Sequence, residues 1–368
     1  MGGGHLRQLV SAEATTVAWA PAAALSASDS GKGASGAGSV EEVGVPRKRS
    51  LAEALARIIL LRTAGSVVML LVISVLIFLL TYLSPGNIIT NLTGLHPPTP
   101  AVAAALRREY GLNQPLVVQY LHWLDRFVHG NWGRSMRDQT SVSQLFAGRV
   151  GVTLALVGLG FAMAVLASVP LGVIAARRAG GMLDRTISAV SVVGLSAPAF
   201  ATGLLLLYVF AYLVSAFPPA GAGQGLFDDL DHLALPAATL AIGVGAYIVR
   251  LTRTAMRREL GSDYVVFARA RGVSERRLTF VALRNAAIPV LTMAGLVLSY
   301  LVGATILVES TFSLPGLGLL LQESVEFKDF AVVQFLALFI AAVIAAIMLL
   351  VDLSYLVLSP EWRQRLRR

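Results

Sequence analysis

Six long stretches of the chain hold no charged residue, and this pattern predicts membrane-spanning helices. A helix needs about 20 mostly apolar residues to cross the bilayer core. Five of the stretches bracket one such helix each, while 186–227 is long enough to raise the question of two. The Pro218-Pro219 break leaves too little room for two spans and a turn, so we predict one long helix kinked at Pro198. The stretches are 63–106, 150–176, 186–227, 232–249, 285–308 and 330–351.

The composition places the chain among integral membrane proteins. It is 56% hydrophobic and 14% charged, whereas a soluble domain carries about a quarter charged residues. Together with six spans, this predicts an all-α membrane protein. Since the sequence has no cysteine, disulfides, thiolate metal sites and a cysteine nucleophile are excluded. The net charge of +9 could indicate nucleic acid, but the basic residues cluster between apolar runs, so we predict a lipid bilayer and no nucleic acid as partner.

Lys and Arg are distributed unequally between the two sides that six spans define. The segment before the first span, 177–185, 250–284 and the C-terminal tail together hold 23 of them, and the loops on the other side hold 7. Cytoplasmic loops carry the excess of Lys and Arg. Because an even number of spans puts both termini on one side, both are predicted to be cytoplasmic.

The segments outside the spans differ in character. Residues 1–50 are rich in Gly, Ala and Ser without a helical apolar period, and they are predicted to be a disordered tail. An N-terminal segment with the first span follows at 51–84, then an extracytoplasmic loop at 85–149. The other five spans form a core at 150–362, and 363–368 is a basic C-terminal tail.

The loop between the first two spans is predicted to contain an amphipathic helix. Its periodic apolar side chains suit a helix that lies on the outer membrane face or against the other spans. His122 and His129 share a face of this helix, but no Cys or Glu-x-x-His pattern accompanies them. We therefore expect solvated or capping histidines and predict no metal site. The periodic residues are Leu116, Tyr120, Leu121, Leu124, Phe127 and Val128.

The basic loop between the fourth and fifth spans is predicted to be structured. Gly261 ends the preceding helix, and Ser262 or Asp263 can cap a short helix that stops near Gly272. Ser274 then caps the next helix. Within the short helix, small side chains alternate with Arg side chains, which suits a docking surface for a cytoplasmic partner. The alternative is a lipid-facing basic loop that only fixes topology.

A few polar or helix-breaking residues within the spans are candidates for function. Ser196, Pro198 and Phe200 could line a translocation path, because Pro198 frees backbone carbonyls beside a hydroxyl; the alternative is a packing kink. Glu309 and Asp352 lie at the ends of the fifth and sixth spans. We expect structural ion pairs there, for instance of Asp352 with Arg250 or Arg284.

The loop sequence resembles that of permeases of ABC importers, and most of all the B-type permease subunit of dipeptide and oligopeptide importers. The similarity lies in Asp263-Tyr264-Val265, in Ala268 to Gly272, in Glu275-Arg276-Arg277 and in the run 283–289. Segments 110–116, 130–135 and 308–318 are also similar to that family, so the resemblance covers roughly 55–362. Two features depart from it: the long tail, and 266–268, where the general importer motif has Glu-Ala-Ala.

This resemblance implies a type I ABC importer permease fold in the bacterial inner membrane, and a subunit that forms half of a translocation pathway. It also implies a second, C-type permease, two ATPase subunits or one fused ATPase, and an extracytoplasmic binding protein. The segment 263–272 would be a coupling helix within a coupling loop at 257–285. The residues assigned in this way to ATPase coupling are Asp263, Tyr264, Ala268, Arg269, Ala270, Arg271, Gly272, Glu275 and Arg276.

The chain itself is predicted to be neither an enzyme nor a nucleotide-binding subunit. A phosphate-binding loop needs a hydroxyl residue after Gly-Lys, whereas Gly33 follows Gly31-Lys32 here. ATP and Mg²⁺ are therefore expected in the partner ATPases, with no cofactor in this chain. A bulky residue at Ala268 or Gly272 is expected to block ATPase docking.

Other functions stay open. A permease for nickel, glutathione or another small solute would share the same motifs. A secondary transporter driven by an ion gradient would show inverted repeats, and no half-to-half repeat is evident in the sequence. A channel or a membrane scaffold would not need a structured docking loop.

Overall fold

The computed structural model describes residues 51–83, 99–109, 113–135, 137–223 and 225–358. The predicted tail at 1–50, the C-terminal tail and the motif residues 110–112 lie outside them. In chain order the helices are α1 (Leu51–Leu83), α2 (Pro100–Glu109), α3 (Leu116–Val128), α4 (Val142–Arg177), α5 (Met182–Ser196), α6 (Ala199–Leu206), α7 (Leu226–Leu260), α8 (Asp263–Ala270), α9 (Glu275–Thr311), α10 (Leu317–Glu326) and α11 (Phe330–Leu358). A π-helical segment, Leu207–Leu213, continues α6.

The apolar helices agree with the predicted membrane architecture. Within the described residues, α1, α4, α7, α9 and α11 are each long and apolar enough to cross a membrane. The pair formed by α5 and α6 with its π-helical continuation counts as a sixth span if it crosses as one unit. The all-α class is thus confirmed, and the six predicted spans correspond to these five helices together with the bent pair.

The third predicted span is broken rather than kinked, which corrects the sequence-based prediction. Its two halves are bent by 107°. Pro198 sits at the break, as predicted, but Ala197 is also extended, with a ψ of 125°. A residue that precedes proline avoids the α conformation because the proline ring crowds it. Two consecutive non-helical residues therefore turn the chain much further than a proline kink inside a continuous helix.

The main core lies between α4, α7 and α9. The α4–α7 contact is the most extensive of the described helix pairs, and α9 packs on α7. Leu156, Leu240, Ile248 and Leu301 are among its fully or nearly fully buried side chains. Burial of such side chains and close interhelical packing hold the bundle together.

Gly172 of α4 permits a close approach of α7 that no other residue type would allow. A Cβ atom at this position would lie 2.6 Å from Thr252 Cβ and 2.9 Å from the Val249 carbonyl oxygen. Gly158, on the same helix, offers a matched comparison, because a Cβ there would meet nothing within 4 Å.

We expect Gly172→Ala and Gly158→Ala to change stability in opposite directions. The first overpacks the α4–α7 contact and should destabilise the chain by about 2 kcal/mol. The second replaces glycine within a helix in open space and should stabilise it by about 0.5 kcal/mol. Thermal unfolding of the detergent-purified chain measures both. If Gly172→Ala were as stable as Gly158→Ala, the close approach of α7 would be wrong.

Helices α3, α10 and α11 form a second cluster at the end of the bundle opposite to α8. The amphipathic helix is confirmed as α3, and of the two predicted placements it lies against other spans. Tyr120 and Trp123 contact Phe78 of α1, with ring centroids 5.5 and 5.7 Å apart, and Tyr120 Oη lies 2.8 Å from Ser74 Oγ. His129 caps the end of α3, with Nδ1 2.7 Å from the Asp125 carbonyl oxygen.

Candidate functional site

The loop between α7 and α9 forms the short helix that the sequence predicts. α7 ends at Leu260, Gly261 follows, and Ser262 occupies the position before α8. The Ser262 hydroxyl, however, donates back to the Glu259 carbonyl oxygen instead of capping α8. Gly272 adopts a φ of +81°, which favours glycine, and the chain then enters α9 at Glu275.

Helix α8 is fixed to both neighbouring helices. Val265 is fully buried. The Tyr264 hydroxyl donates to Glu259 Oε2 of α7 at 2.8 Å and accepts from Asn285 Nδ2 of α9 at 2.9 Å. Near the other end of α8, Arg269 Nε lies 2.6 Å from Glu275 Oε1. The helix is thus a rigid part of the bundle end rather than a slack connection.

The free face of α8 combines aromatic and basic side chains. Phe267 is 71% exposed and Val266 54% exposed, and Phe280 at the start of α9 is 68% exposed. Exposed clusters of large apolar side chains mark protein contacts. The nine predicted coupling residues lie in α8 or in the residues that follow it: Asp263, Tyr264, Arg269, Ala270, Arg271, Gly272, Glu275 and Arg276 are exposed, and Ala268 is half-buried.

Phe267 and Phe280 were not among the residues that the sequence singled out. The helical period could have indicated Phe267, because it lies three residues after Tyr264 and three before Ala270 and thus shares their face. We define the docking face as Phe267, Ala270 and Arg271, which share one face of α8 by their helical spacing.

A buried ion pair lies at the same end of the bundle and also went unpredicted. Asp184, almost fully buried at the start of α5, accepts two hydrogen bonds from the Arg253 guanidinium of α7. One of them, from Nη2 to Oδ2, is 2.9 Å long. The Gly180 amide donates to the same carboxylate at 2.8 Å. The Asp184 carboxylate therefore links the turn before α5 to the part of α7 that leads into α8.

The predicted ion pairs of the span ends are corrected by the structure. Asp352 of α11 pairs with Arg62 of α1 at 2.9 Å, and the proposed partners Arg250 and Arg284 are exposed instead. The physical reason is that α11 packs against α1, which brings Arg62 within reach.

Glu309 is held by hydrogen bonds, not by the ion pair that was expected, within the described part of the chain. It is fully buried and accepts from Thr153 Oγ1 at 2.7 Å, from the Gly318 amide at 2.7 Å and from the Leu319 amide at 3.0 Å. The two amides belong to the first turn of α10. A carboxylate at this point satisfies backbone donors that have no partner within their own helix.

The three candidate path residues come together at the break of the bent span. Ser196, Pro198 and Phe200 are all exposed on the surface of the described chain. Since Pro198 has no N–H, the Gly194 carbonyl lacks its usual helical donor. The Ser196 hydroxyl already donates a hydrogen bond to the Val192 carbonyl oxygen, 3.0 Å away. The Gly194 carbonyl at this break is therefore free to accept a hydrogen bond from a polar group beyond the described residues.

Comparison with protein families gives two matches that together cover most of the chain. The family described as binding-protein-dependent transport system inner membrane component matches residues 168–364. The N-terminal part of such membrane components matches residues 55–157.

Several named relatives are similar to this chain over almost their whole length. A putative peptide permease protein of Brucella suis is 42% identical over 301 residues, which are 80% of this chain and 94% of the relative. A probable peptide ABC transporter permease protein of Sinorhizobium fredii is 35% identical, covering 83% and 98%. The glutathione transport system permease protein GsiC of Salmonella typhimurium is 37% identical, covering 83% and 99%.

A solved structure shares the fold. The inward-facing methionine ABC transporter MetNI matches with a TM-score of 0.51 at 19% identity, over 59% of this chain and 97% of the matched chain. At this identity the likeness concerns the fold alone.

Proposed function

The chain belongs to the family of inner membrane components of binding-protein-dependent transport systems, and from this premise we propose that it carries peptides. It is a multi-pass permease subunit of an ABC importer. The peptide assignment is supported by the names of the Brucella and Sinorhizobium relatives. Glutathione, which the Salmonella relative transports by its name, is itself a small peptide. Nickel or another small solute is the alternative substrate class.

The proposed assembly contains partners that supply energy and substrate. A second, C-type permease would complete the pathway, two ATPase subunits or one fused ATPase would hydrolyse ATP with Mg²⁺, and an extracytoplasmic binding protein would deliver the peptide. The chain itself would have no catalytic activity. Both termini and α8 would be cytoplasmic, in keeping with the excess of Lys and Arg on that side.

The docking face of α8 is the observation that carries this assignment. A lipid-facing loop that only fixes topology would not need a short helix fastened to both adjacent spans. Nor would it need Phe267 exposed on the same helical face as the exposed Arg271. A groove on an ATPase subunit would cover the Phe267 ring and pair the Arg271 guanidinium group.

The helix break at Pro198 supports the proposal that this part of the bent span lines the translocation path. Lipid cannot satisfy the freed backbone groups, so non-helical backbone within a membrane lies against protein or lines an aqueous cavity. Ser196, Pro198 and Phe200 would therefore face the second permease across a water-filled path. The packing-kink alternative does not account for the exposure of all three.

Cysteine labelling tests this position directly, because the natural chain contains no cysteine. In the assembled transporter we expect Ser196→Cys and Phe200→Cys to react with a membrane-impermeant maleimide at least about tenfold faster than Leu71→Cys, since only a hydrated thiol ionises. Leu71 of α1 is a matched control, at 44% exposure against 50% for Phe200. Equal labelling of all three would place the break in lipid and contradict the path.

The proposed function is tested by purifying the tagged chain from native membranes and identifying what accompanies it. Two ATPases or one fused ATPase and a second permease are expected. The complex is then reconstituted with its binding protein, and ATP-driven uptake of peptides is compared with uptake of glutathione and Ni²⁺. A chain that purifies alone and transports with an ion gradient would instead be a secondary transporter.

A further inference from the structure

One hydroxyl group joins α8 to both helices that follow and precede it in the chain. Tyr264 Oη donates to Glu259 Oε2 at the end of α7, 2.8 Å away, and accepts from Asn285 Nδ2 of α9, 2.9 Å away. Glu259 lies five positions before Tyr264 and Asn285 lies 21 after it. A single phenol therefore bridges two long spans at the start of α8.

The covalent connections of α8 are poorly suited to transmit movement. Gly261 precedes the helix, and Gly272 follows it with a φ of +81°. Glycine turns absorb backbone rotation easily. A displacement of α8 would be lost in these two turns unless side chains linked the helix to its neighbours.

The polar side-chain contacts of α8 differ in how many neighbouring helices they reach. The Arg269–Glu275 pair spans only the turn into α9, and both side chains are about half exposed, at 47% and 52%. Surface pairs of this kind contribute little. The Tyr264 hydroxyl, in contrast, contacts α7 and α9 together. Burial and the neighbouring Glu259 carboxylate raise the pKa of Tyr264, so the phenol stays protonated and keeps its donor at neutral pH.

We propose that Tyr264 is the positioning residue that transmits movement of α8 to α7 and α9 at once, through its hydrogen bonds to Glu259 and Asn285. The inference rests on the proposed function, in which an ATPase moves α8. Beyond that function, it identifies Tyr264 Oη as the atom through which the movement of α8 reaches the two spans. Docking and transmission are thereby separate properties: the exposed face binds the ATPase, and the phenol conveys its motion.

The test is Tyr264→Phe in the complete transporter, reconstituted with its partner permease, ATPases and binding protein. The variant keeps the ring and removes only the hydroxyl. We expect unchanged assembly and sustained ATP hydrolysis, with peptide uptake per ATP reduced about tenfold or more, because one neutral and one charge-assisted hydrogen bond are lost. Tyr300→Phe is the control, because the Tyr300 hydroxyl of α9 makes no hydrogen bond to the described residues.

If Tyr264→Phe assembles poorly, a second variant can still test the inference. Asn285→Ala removes the α9 side of the link and should lower uptake per ATP as well. The double variant should be no worse than the more severe single one, because both act through the same hydroxyl. Unchanged uptake per ATP in the single variants, or fully additive losses, would overturn the inference. A wild-type chain that binds no ATPase would instead overturn the proposed function.

Discussion

Replacing Glu309 with Ala is expected to prevent accumulation of a folded chain. The change leaves the Gly318 and Leu319 amides and the Thr153 hydroxyl without their acceptor inside the protein. A hydrogen bond to a charged group contributes about 2 kcal/mol, and an unsatisfied buried donor adds a further penalty, so the loss should exceed about 3 kcal/mol. That is a large fraction of the marginal stability of a folded domain.

The close packing around the Glu309 carboxylate adds to the expected loss of stability. A Cβ atom at Gly316 would lie 2.3 Å from the carboxyl carbon of Glu309, so the carboxylate occupies the space beside a residue without a side chain. Thr153 also accepts from the Leu317 amide at 2.8 Å, which ties α4 to the same turn. Removing the carboxylate therefore loosens α10 from both α4 and α9.

The comparison of Glu309→Gln with Glu309→Ala separates hydrogen bonding from charge. The Gln carbonyl oxygen can still accept from Gly318 and Leu319, so a mild effect is expected. Glu326→Ala, on the exposed side of the same α10, should change stability by less than about 0.5 kcal/mol. The amount of folded chain in the membrane measures all three variants, and thermal unfolding of the purified complex measures those that accumulate. A Gln variant as unstable as the Ala variant would show that the negative charge is what this site requires.

The parts of the fold that follow local rules could be predicted from the sequence. A bilayer imposes a length and an absence of charge on each span, and these are visible without any knowledge of partners. The limits of α8 likewise follow from Gly261, Ser262 and Gly272, because turns and helix ends depend on a few adjacent residues. The broken span shows the limit of such rules: the position of Pro198 is local, but the 107° bend also depends on Ala197.

The pairs of distant residues could not be predicted in this way. Asp184 and Arg253 are 69 positions apart, and Thr153 and Glu309 are 156 apart. The sequence offers many possible partners for each acidic residue, and only the packing of the helices selects one. Asp352 illustrates the same point, since its partner Arg62 depends on α11 lying beside α1.

Ala270→Trp should abolish peptide uptake by blocking the docking face of α8. Ala270 is exposed and lies three residues after Phe267, so an indole at this position projects from the same face. Overpacking of a close contact costs about 1–3 kcal/mol, which corresponds to a loss of ATPase affinity of about tenfold to a hundredfold. The chain itself should fold normally because the added side chain enters solvent.

Ala270 separates docking from folding better than the two positions that the sequence suggested. Ala268 is half-buried, and its carbonyl oxygen accepts from the Val273 amide at 3.1 Å, so a bulky side chain there would disturb the loop. Any side chain at Gly272 meets an unfavourable φ of +81°. Ala101→Trp, an exposed alanine in α2, is the matched control. Co-purified ATPase and uptake should both be lost in Ala270→Trp and retained in Ala101→Trp, with equal thermal stability; normal uptake in Ala270→Trp would remove α8 as the docking site.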